Sequence, residues 1–455
     1  MKTIRIGSGA GYAGDRIEPA VELMEKGNLD YIIFECLAER TVALGQKDKQ
    51  SNPELGYNQR LKERMVKILP LAQKNHIRVV TNMGAANPKA AAEEICGLAR
   101  ELGVGGLKIA CVTGDDIGDR LDRYAEHDIL ENGKKLKDIQ DSLISANAYM
   151  GAEGIIEALA RDADIVVTGR VSDSALTIGP LVHEFGWTLE ECPDQMGQAV
   201  LAGHLLECAG QVTGGYYADP GYKEVPDLDR LGFPLLEVSE DGSFIVTKVE
   251  GSGGLVCVDT CKEQTIYEIH NPKAYMTPDA IADFSQVRYE QAGNNRVRAA
   301  GAATHGKPEN LKVTIGYQDC FIGEGEISYG GKNCLERAKM AGEIVESRFQ
   351  QMGLAIEELR IDYIGYNSLY LSAISDQLTQ SEPAEVRLHV SARTQDAQTA
   401  CAVADEVETL YTNGPAGGGG ARKYVEEVFS VCSIFIPRED VHAEVTYMVT
   451  EGGSL

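Results

Sequence analysis

Positive charge is in short supply: 43 Lys and Arg stand against 69 Asp and Glu, a formal net charge of −26. That balance argues against nucleic acid or an anionic membrane as a general partner, because both need a basic face. Long hydrophobic runs are missing too, and Thr3 opens a strand pattern where a signal peptide would carry its apolar core. The expected location is therefore the cytoplasm, with no membrane partner. C-x-x-C pairs and His pairs at ligand spacing are absent, and the 11 cysteines are scattered. In a reducing compartment such cysteines read as small buried hydrophobes, so no metal is expected. Internal repeats and long low-complexity tracts are lacking. At 455 residues the chain exceeds one simple core, so several domains are expected.

What is present is organised around 147–187. Ile165-Val166-Val167-Thr168 is a β-branched run without polar alternation, as in a strand buried on both faces. Gly169-Arg170-Val171-Ser172-Asp173-Ser174 follows it and leads into a second helix. A turn glycine, a guanidinium and three capping residues together favour a carboxylate or phosphate. Arg170, Ser172 and Asp173 are therefore candidate anion ligands, with a simple helix cap and an Arg170–acid pair as the alternative.

Strand and helix patterns alternate before this stretch. Strands are predicted over 3–8, 31–34, 78–81 and 107–112, with helices over 58–75 and 88–102, which implies a parallel sheet with right-handed crossovers. Gly9-Ala10-Gly11-Tyr12-Ala13-Gly14 has G-x-G-x-x-G spacing after the first strand, and Glu35 lies about 20 residues beyond, as in a dinucleotide fingerprint. Asp15 puts negative charge where a phosphate would lie, and Pro19 starts the helix late. A substrate loop built on Gly11, Gly14, Asp15 and Arg16 is the other reading.

The strand ends gather Asp15, Arg16, Glu35, Glu39, Arg40, Asn82, Asn87, Asp115, Asp116, Arg170 and Asp173 on one rim, with Asn147 and Tyr149 within reach. Asp15, Glu35 and Asp115 are candidate general bases, while Asp115 with Asp116 would be a divalent-cation pair or a solvated turn. Asn82, Asn87 and Asn147 are candidate substrate contacts. His204 and Glu207 share one face of a helix over 193–210, either half of an acid–base pair or a structural histidine.

Past Gly221 the texture turns β-rich: a hairpin over 235–249 about Asp241-Gly242, then a β segment over 255–261. From Leu311 strands are predicted over 312–317, 324–329, 358–364 and 385–391, with helices over 333–352 and 394–413. Gly414 to Lys423 holds four consecutive glycines but lacks Walker spacing; as the opening of a helix it would offer Gly418 and Gly419 amides to an anion. The expected architecture is α/β: an N-terminal parallel Rossmann-like sheet (1–220, with the main site), a β-rich middle region (221–310) and a C-terminal α+β two-layer sandwich (311–455).

Five segments together resemble the acyclic terpene utilisation (AtuA-like) family: GAGYAGDR (9–16), NMGAANP (82–88), 147–187, GHLLECAGQVTGGYYADPG (203–221) and 414–423. The resemblance covers nearly the whole chain. It implies a cytoplasmic protein of pathways that degrade branched or terpenoid acids as acyl-CoA thioesters, and it brings no assigned catalytic residues. Longer members carry a further small C-terminal domain, so a small companion protein is an expected partner here, as is a homo-oligomer. The leading expectation is an enzyme that hydrates, dehydrates or isomerises a carboxylate or acyl-CoA substrate without a cofactor. Arg170 would hold the anion and Asp15, Glu35 or Asp115 would move the proton. A nicotinamide-dependent oxidoreductase and a non-catalytic scaffold are the alternatives.

Overall fold

The structure is a computed structural model describing residues 1–379 and 381–450. Its elements run β1 (Thr3–Ser8), α1 (Glu18–Lys26), β2 (Tyr31–Phe34), α2 (Glu39–Ser51), α3 (Leu61–Asn75), β3 (Arg78–Thr81), α4 (Pro88–Glu101) and β4 (Lys108–Thr113). Then come β5 (Leu143–Ala148), α5 (Glu153–Ala160), β6 (Ile165–Thr168), α6 (Ala175–Phe185), α7 (Pro193–Glu207), β7 (Pro234–Ser239), β8 (Phe244–Lys248) and α8 (Val258–Ile266). The short strands β9 (Tyr275–Met276) and β10 (Ile281–Asp283) precede β11 (Arg288–Gly293), β12 (Arg296–Ala300) and β13 (Ala303–Thr304). Last are β14 (Asn310–Gly330), α9 (Cys334–Met352), β15 (Ile356–Ile364), α10 (Leu371–Leu378), β16 (Glu385–Thr394), α11 (Ala397–Glu408), α12 (Leu410–Asn413), β17 (Gly419–Pro437) and β18 (Glu444–Val449).

By contact density the chain divides into two units, Met1–Gly316 with the stretch from Val431 on, and Tyr317–Ser430. The first is built on a ten-stranded sheet of order β11-β12-β8-β7-β1-β2-β3-β6-β4-β18. Its centre, β1-β2-β3-β6-β4, is parallel. On one side β7, β8, β12 and β11 continue it antiparallel, and on the other β18 pairs antiparallel with β4. The five predicted parallel strands are thus the middle of a larger mixed α/β sheet.

Strand alternation explains the layering. Ile32 and Phe34 of β2 share a core with Leu23 of α1, Met65 of α3 and Ile95 of α4. Tyr31 points the opposite way and donates its hydroxyl to Glu184 Oε1 of α6 at 2.5 Å. Helices therefore cover both faces, which is why β2 and β6 are apolar without alternation.

The second unit carries a sheet of order β15-β16-β14-β17, in which β16 runs antiparallel to both β15 and β14. Val345 and Phe349 of α9 and Val403 and Val407 of α11 close a core with Leu388 and Val390 of β16.

Three local expectations change. The β segment over 255–261 is instead the start of helix α8: Thr260 Oγ1 accepts from Cys257 N at 3.1 Å, so a cap overrides the β-branched Val256, Val258 and Thr260. The strands over 312–317 and 324–329 are one continuous strand, β14. Finally, the glycine run opens strand β17, not a helix, so no helix N-terminus faces Gly418 and Gly419.

Candidate functional site

Beyond β1, β2 and β6 the chain bounds a cavity of about 710 Å³ lined in part by Asp15, Glu35, Tyr149, Arg170, Asp173 and Glu207. A smaller one, about 260 Å³, adjoins it through Glu39, Tyr149, Asp173 and Glu207, and adds Ser172, His204, Tyr275 and Lys312. Three of the parallel strands thus deliver their following loops to one place, as expected of such a sheet.

Arg170 lies at the centre, only 1% exposed. Its guanidinium donates to the carbonyl oxygens of Val171 and Leu37 and to Asp173 Oδ1, and stacks on the Tyr149 ring at 4.4 Å. Four of the five N–H groups of the fork expected to await an anion thus go to the protein itself, while Arg170 still lines the larger cavity. The helix start is spent as well: Ala175 and Leu176 amides of α6 donate to Ser172 and Asp173 carbonyls. Ser172 lines the smaller cavity, and its Oγ, like that of Ser174, is buried without a partner among the described residues.

Glu35 is buried and accepts from Leu37 N at 2.9 Å and Asn82 Nδ2 at 3.0 Å. Burial and the nearby Asp173 charge push its carboxyl up to about 8, against the pull of Arg170, so it is protonated at neutral pH. Glu39 goes the other way. Burial opposes its charge, yet the Tyr149 hydroxyl at 2.5 Å and Lys312 Nζ at 3.2 Å hold it down to about 2.

His204 and Glu207 form the second centre. Nδ1 lies 2.7 Å from Glu207 Oε1, both residues are buried, and His204 Nε2 and Glu207 Oε2 have no partner among the described residues. With Nδ1–H donated to Glu207, Nε2 carries the lone pair and is the basic nitrogen. Burial works against the imidazolium, but the Glu207 charge prevails and raises His204; burial also raises Glu207.

The other predicted residues act differently. Asp115 is buried outside the lining of both cavities, where Oδ2 accepts from Arg170 N at 2.9 Å and Asn147 Nδ2 at 2.8 Å. Burial lifts it to about 6. Asp115 and Asn147 thus brace the 169–174 loop from behind. Asp116 turns elsewhere, accepting from Gln46 Nε2 at 2.8 Å, so the two aspartates do not converge on a cation. Asn82 orients Glu35 and also accepts from Cys36 N at 2.7 Å. Asn87 caps α4 and ties down the Pro53 and Leu55 carbonyls.

The glycine fingerprint has an internal explanation. Asp15 Oδ2 accepts from Gly11 N at 2.9 Å, and a Cβ on Gly11 would lie 2.5 Å from the Cys208 carbonyl carbon. Gly11 is thus needed for packing against the end of α7, while the Gly14 carbonyl accepts from Arg60 Nη1 at 2.8 Å. Arg16 lines the cavity and reaches the Leu228 and Asp229 carbonyls at 3.4 Å. Gly418 and Gly419 belong to the second unit.

Sequence reasoning gave no role to Arg64, to Lys312 and Tyr275 of the smaller cavity, or to Glu268, which lines both cavities. Buried Arg64 donates to the Ala13 and Asp15 carbonyls at 3.1 Å and so holds the loop after β1. Its one signal is a charge at a core-facing position of α3; the other three arrive from distant segments without any.

Buried carboxyls and an imidazole line adjoining cavities beyond the ends of the parallel strands of this mixed α/β sheet, the region where open α/β folds bind small molecules. The sequence profile of the acyclic terpene utilisation family protein AtuA matches residues 4–447. The chain belongs to that family. No curated protein matches it. Among solved structures it is similar to an aspartate kinase of Clostridium acetobutylicum at 11% identity, over 98% of this chain and 86% of that one, with a TM-score of 0.19 that carries no argument about fold.

Proposed function

We propose that this protein is a catabolic enzyme of acyclic terpene utilisation that adds or removes water, or moves a double bond, beside the carbonyl of an acyl substrate. One observation carries the reading: a carboxyl kept protonated near neutrality, Glu35 at about 8, and a buried His204–Glu207 pair with Nε2 open line adjoining cavities. Two titratable groups pushed apart by their surroundings are how one site supplies both acid and base. In a dehydration, His204 Nε2 takes the proton from carbon while Glu35 gives its proton to the departing hydroxyl, so water leaves and the carbon–carbon double bond forms. Hydration is the reverse.

The charge balance favours an acyl group whose carboxylate is masked, as in a CoA thioester, over a free acid. Arg170 is matched by Asp173 and Lys312 by Glu39, which leaves no surplus buried cation among the described residues lining either cavity to compensate a desolvated carboxylate.

The test is proton exchange from deuterated water into a panel of branched acyl-CoA thioesters, followed by NMR. Exchange or hydration should be seen with the wild type and fall at least about a hundredfold in His204→Asn and Glu35→Gln, in the range lost with a positioned acid or base. Wild-type rates in both variants, or turnover confined to free acids or to nicotinamide cofactors, would refute the proposal.

A further inference from the structure

The short strand β9 is placed by contacts with the helix that carries His204. β13 lies so close to α7 that a Cβ on Gly197 would stand 2.8 Å from Ala303 backbone atoms, and Gln198 Oε1 of the same helix accepts from Ala302 N at 3.0 Å. β10 pairs with β13, and β9 pairs with β10, where Tyr275 faces Ala282. One side chain closes the turn between β9 and β10: Thr277 Oγ1 donates to the Ala280 carbonyl at 2.8 Å and accepts from Ala280 N at 3.1 Å. Alternation along the strand turns Met276 out to solvent and Tyr275 toward the smaller cavity, which it lines.

Tyr275 arrives there as part of a fixed trio of rings. Its centroid is 5.4 Å from that of His204 and 5.7 Å from that of Phe284, and the His204 and Phe284 rings are 6.0 Å apart. All three contacts are tilted, at the spacing where rings hold one another in place. Among the described residues the Tyr275 hydroxyl has no hydrogen-bond partner, although a phenol ordinarily finds one when its ring is packed inside. Burial, with the Glu207 and Asp173 charges behind it, pushes the phenol well above its usual range. It therefore keeps its proton wherever His204 serves as a base, and is a hydrogen-bond donor.

The chemistry proposed for His204 calls for such a donor. When Nε2 takes the proton from the carbon beside an acyl carbonyl, the C–H electron pair forms a carbon–carbon double bond and the carbonyl pair moves onto oxygen. That oxygen then carries the negative charge, and a donor already in place stabilises it without reorganisation. The pair returns either to expel the hydroxyl that Glu35 protonates or to take a proton back at carbon. Lys312, the cation lining the same cavity, is matched by Glu39. Ser172 Oγ is the other hydroxyl without a partner here; Tyr275 differs in standing against the His204 ring itself.

We propose that Tyr275 is a catalytic residue that donates its hydroxyl to the substrate's carbonyl oxygen, and that the subsite it forms with His204 takes a neutral carbonyl, as in a thioester or ketone, and rejects a free carboxylate. The rejection follows from charge: Glu207 and Asp173 line the same cavity, and a carboxylate set against the phenol would stand beside them. The assignment rests on His204 acting as the carbon base.

Proton exchange from deuterated water into acyl thioesters, compared between the wild type and Tyr275→Phe, tests this. The substitution removes one oxygen and keeps the ring. kcat should fall by about a hundredfold or more, the loss expected of one missing oxyanion donor, while KM stays within about threefold. The urea midpoint should stay level or rise, because the deleted oxygen has no partner in the fold. A wild type that exchanges nothing would overturn this proposal together with the role of His204. Exchange that needs His204 and Glu35 but runs at the wild-type rate in Tyr275→Phe would overturn the Tyr275 assignment alone. A raised KM at unchanged kcat, or a lowered urea midpoint, would also overturn it, since the residue would then serve binding or packing. Free carboxylates that exchange as fast as their thioesters would refute the neutral-carbonyl subsite.

Discussion

Glu35 spends folding energy to stay uncharged. Its carboxyl ordinarily titrates near 4.5 and in the fold only at about 8, so between these values the folded chain holds a proton that the unfolded chain has lost. Stability therefore falls as pH rises through that window, by about 1.4 kcal/mol per pH unit at most, and the Glu35 contribution is flat below it. Glu35→Gln, which copies the protonated form, should leave the urea midpoint near pH 4.5 almost unchanged and raise it at pH 8. Equal midpoints for both proteins at pH 8 would refute the assignment. Glu35 as a candidate proton-moving group was read from its place after a short apolar strand; that its carboxyl is pushed up was not legible, because the burial comes from groups far along the chain.

Asp115 teaches the opposite lesson. Its place at a strand tip predicted chemistry, yet the carboxylate is occupied in holding the Arg170 and Asn147 amides. No spacing distinguishes a strand-tip aspartate that faces a ligand from one that faces the next loop, since the difference is a rotation about one bond.

Among the elements, the loops after β1, β2 and β6 are joined by buried arginines. Arg170 links its own loop to Leu37, past the end of β2, and Arg64 of α3 links the 12–15 loop to Cys36, with Nη1 3.1 Å from its Sγ. Each guanidinium replaces water for several carbonyls at once, the arrangement a fixed donor fork suits. Arg170→Ala should then act on folding, costing about 1–3 kcal/mol for each acceptor left unsatisfied, because the Val171 and Leu37 carbonyls and half-exposed Asp173 lose their donor. Chemical denaturation would show it, and a variant as stable as the wild type would contradict the bracing role. The parallel strands and most helices were legible because burial on two faces removes polar alternation. The turn from strand to helix at α8 was not legible, since one threonine cap decided it.

For the whole molecule, acidity was legible at once and retains its meaning. A net charge of −26 is self-repulsive, so raising salt from low to physiological strength should increase the thermal midpoint, with most of the gain below about 0.15 M where the screening length shortens to about 8 Å. A midpoint that falls with salt would mean that the surface ion pairs outweigh the repulsion. The mixed character of the sheet was less legible, because whether a late strand pairs with an early one is decided by contacts remote in sequence.

One such pairing bears on how the protein is made. β18 joins β4 residue for residue, Glu444 opposite Thr113 through Val449 opposite Lys108. A ribosome emits β4 more than three hundred residues before that mate exists, and at ordinary elongation speeds the interval lasts tens of seconds. Throughout it, the flank of β4 that β18 will close is unpaired, an open edge of the kind that templates another strand.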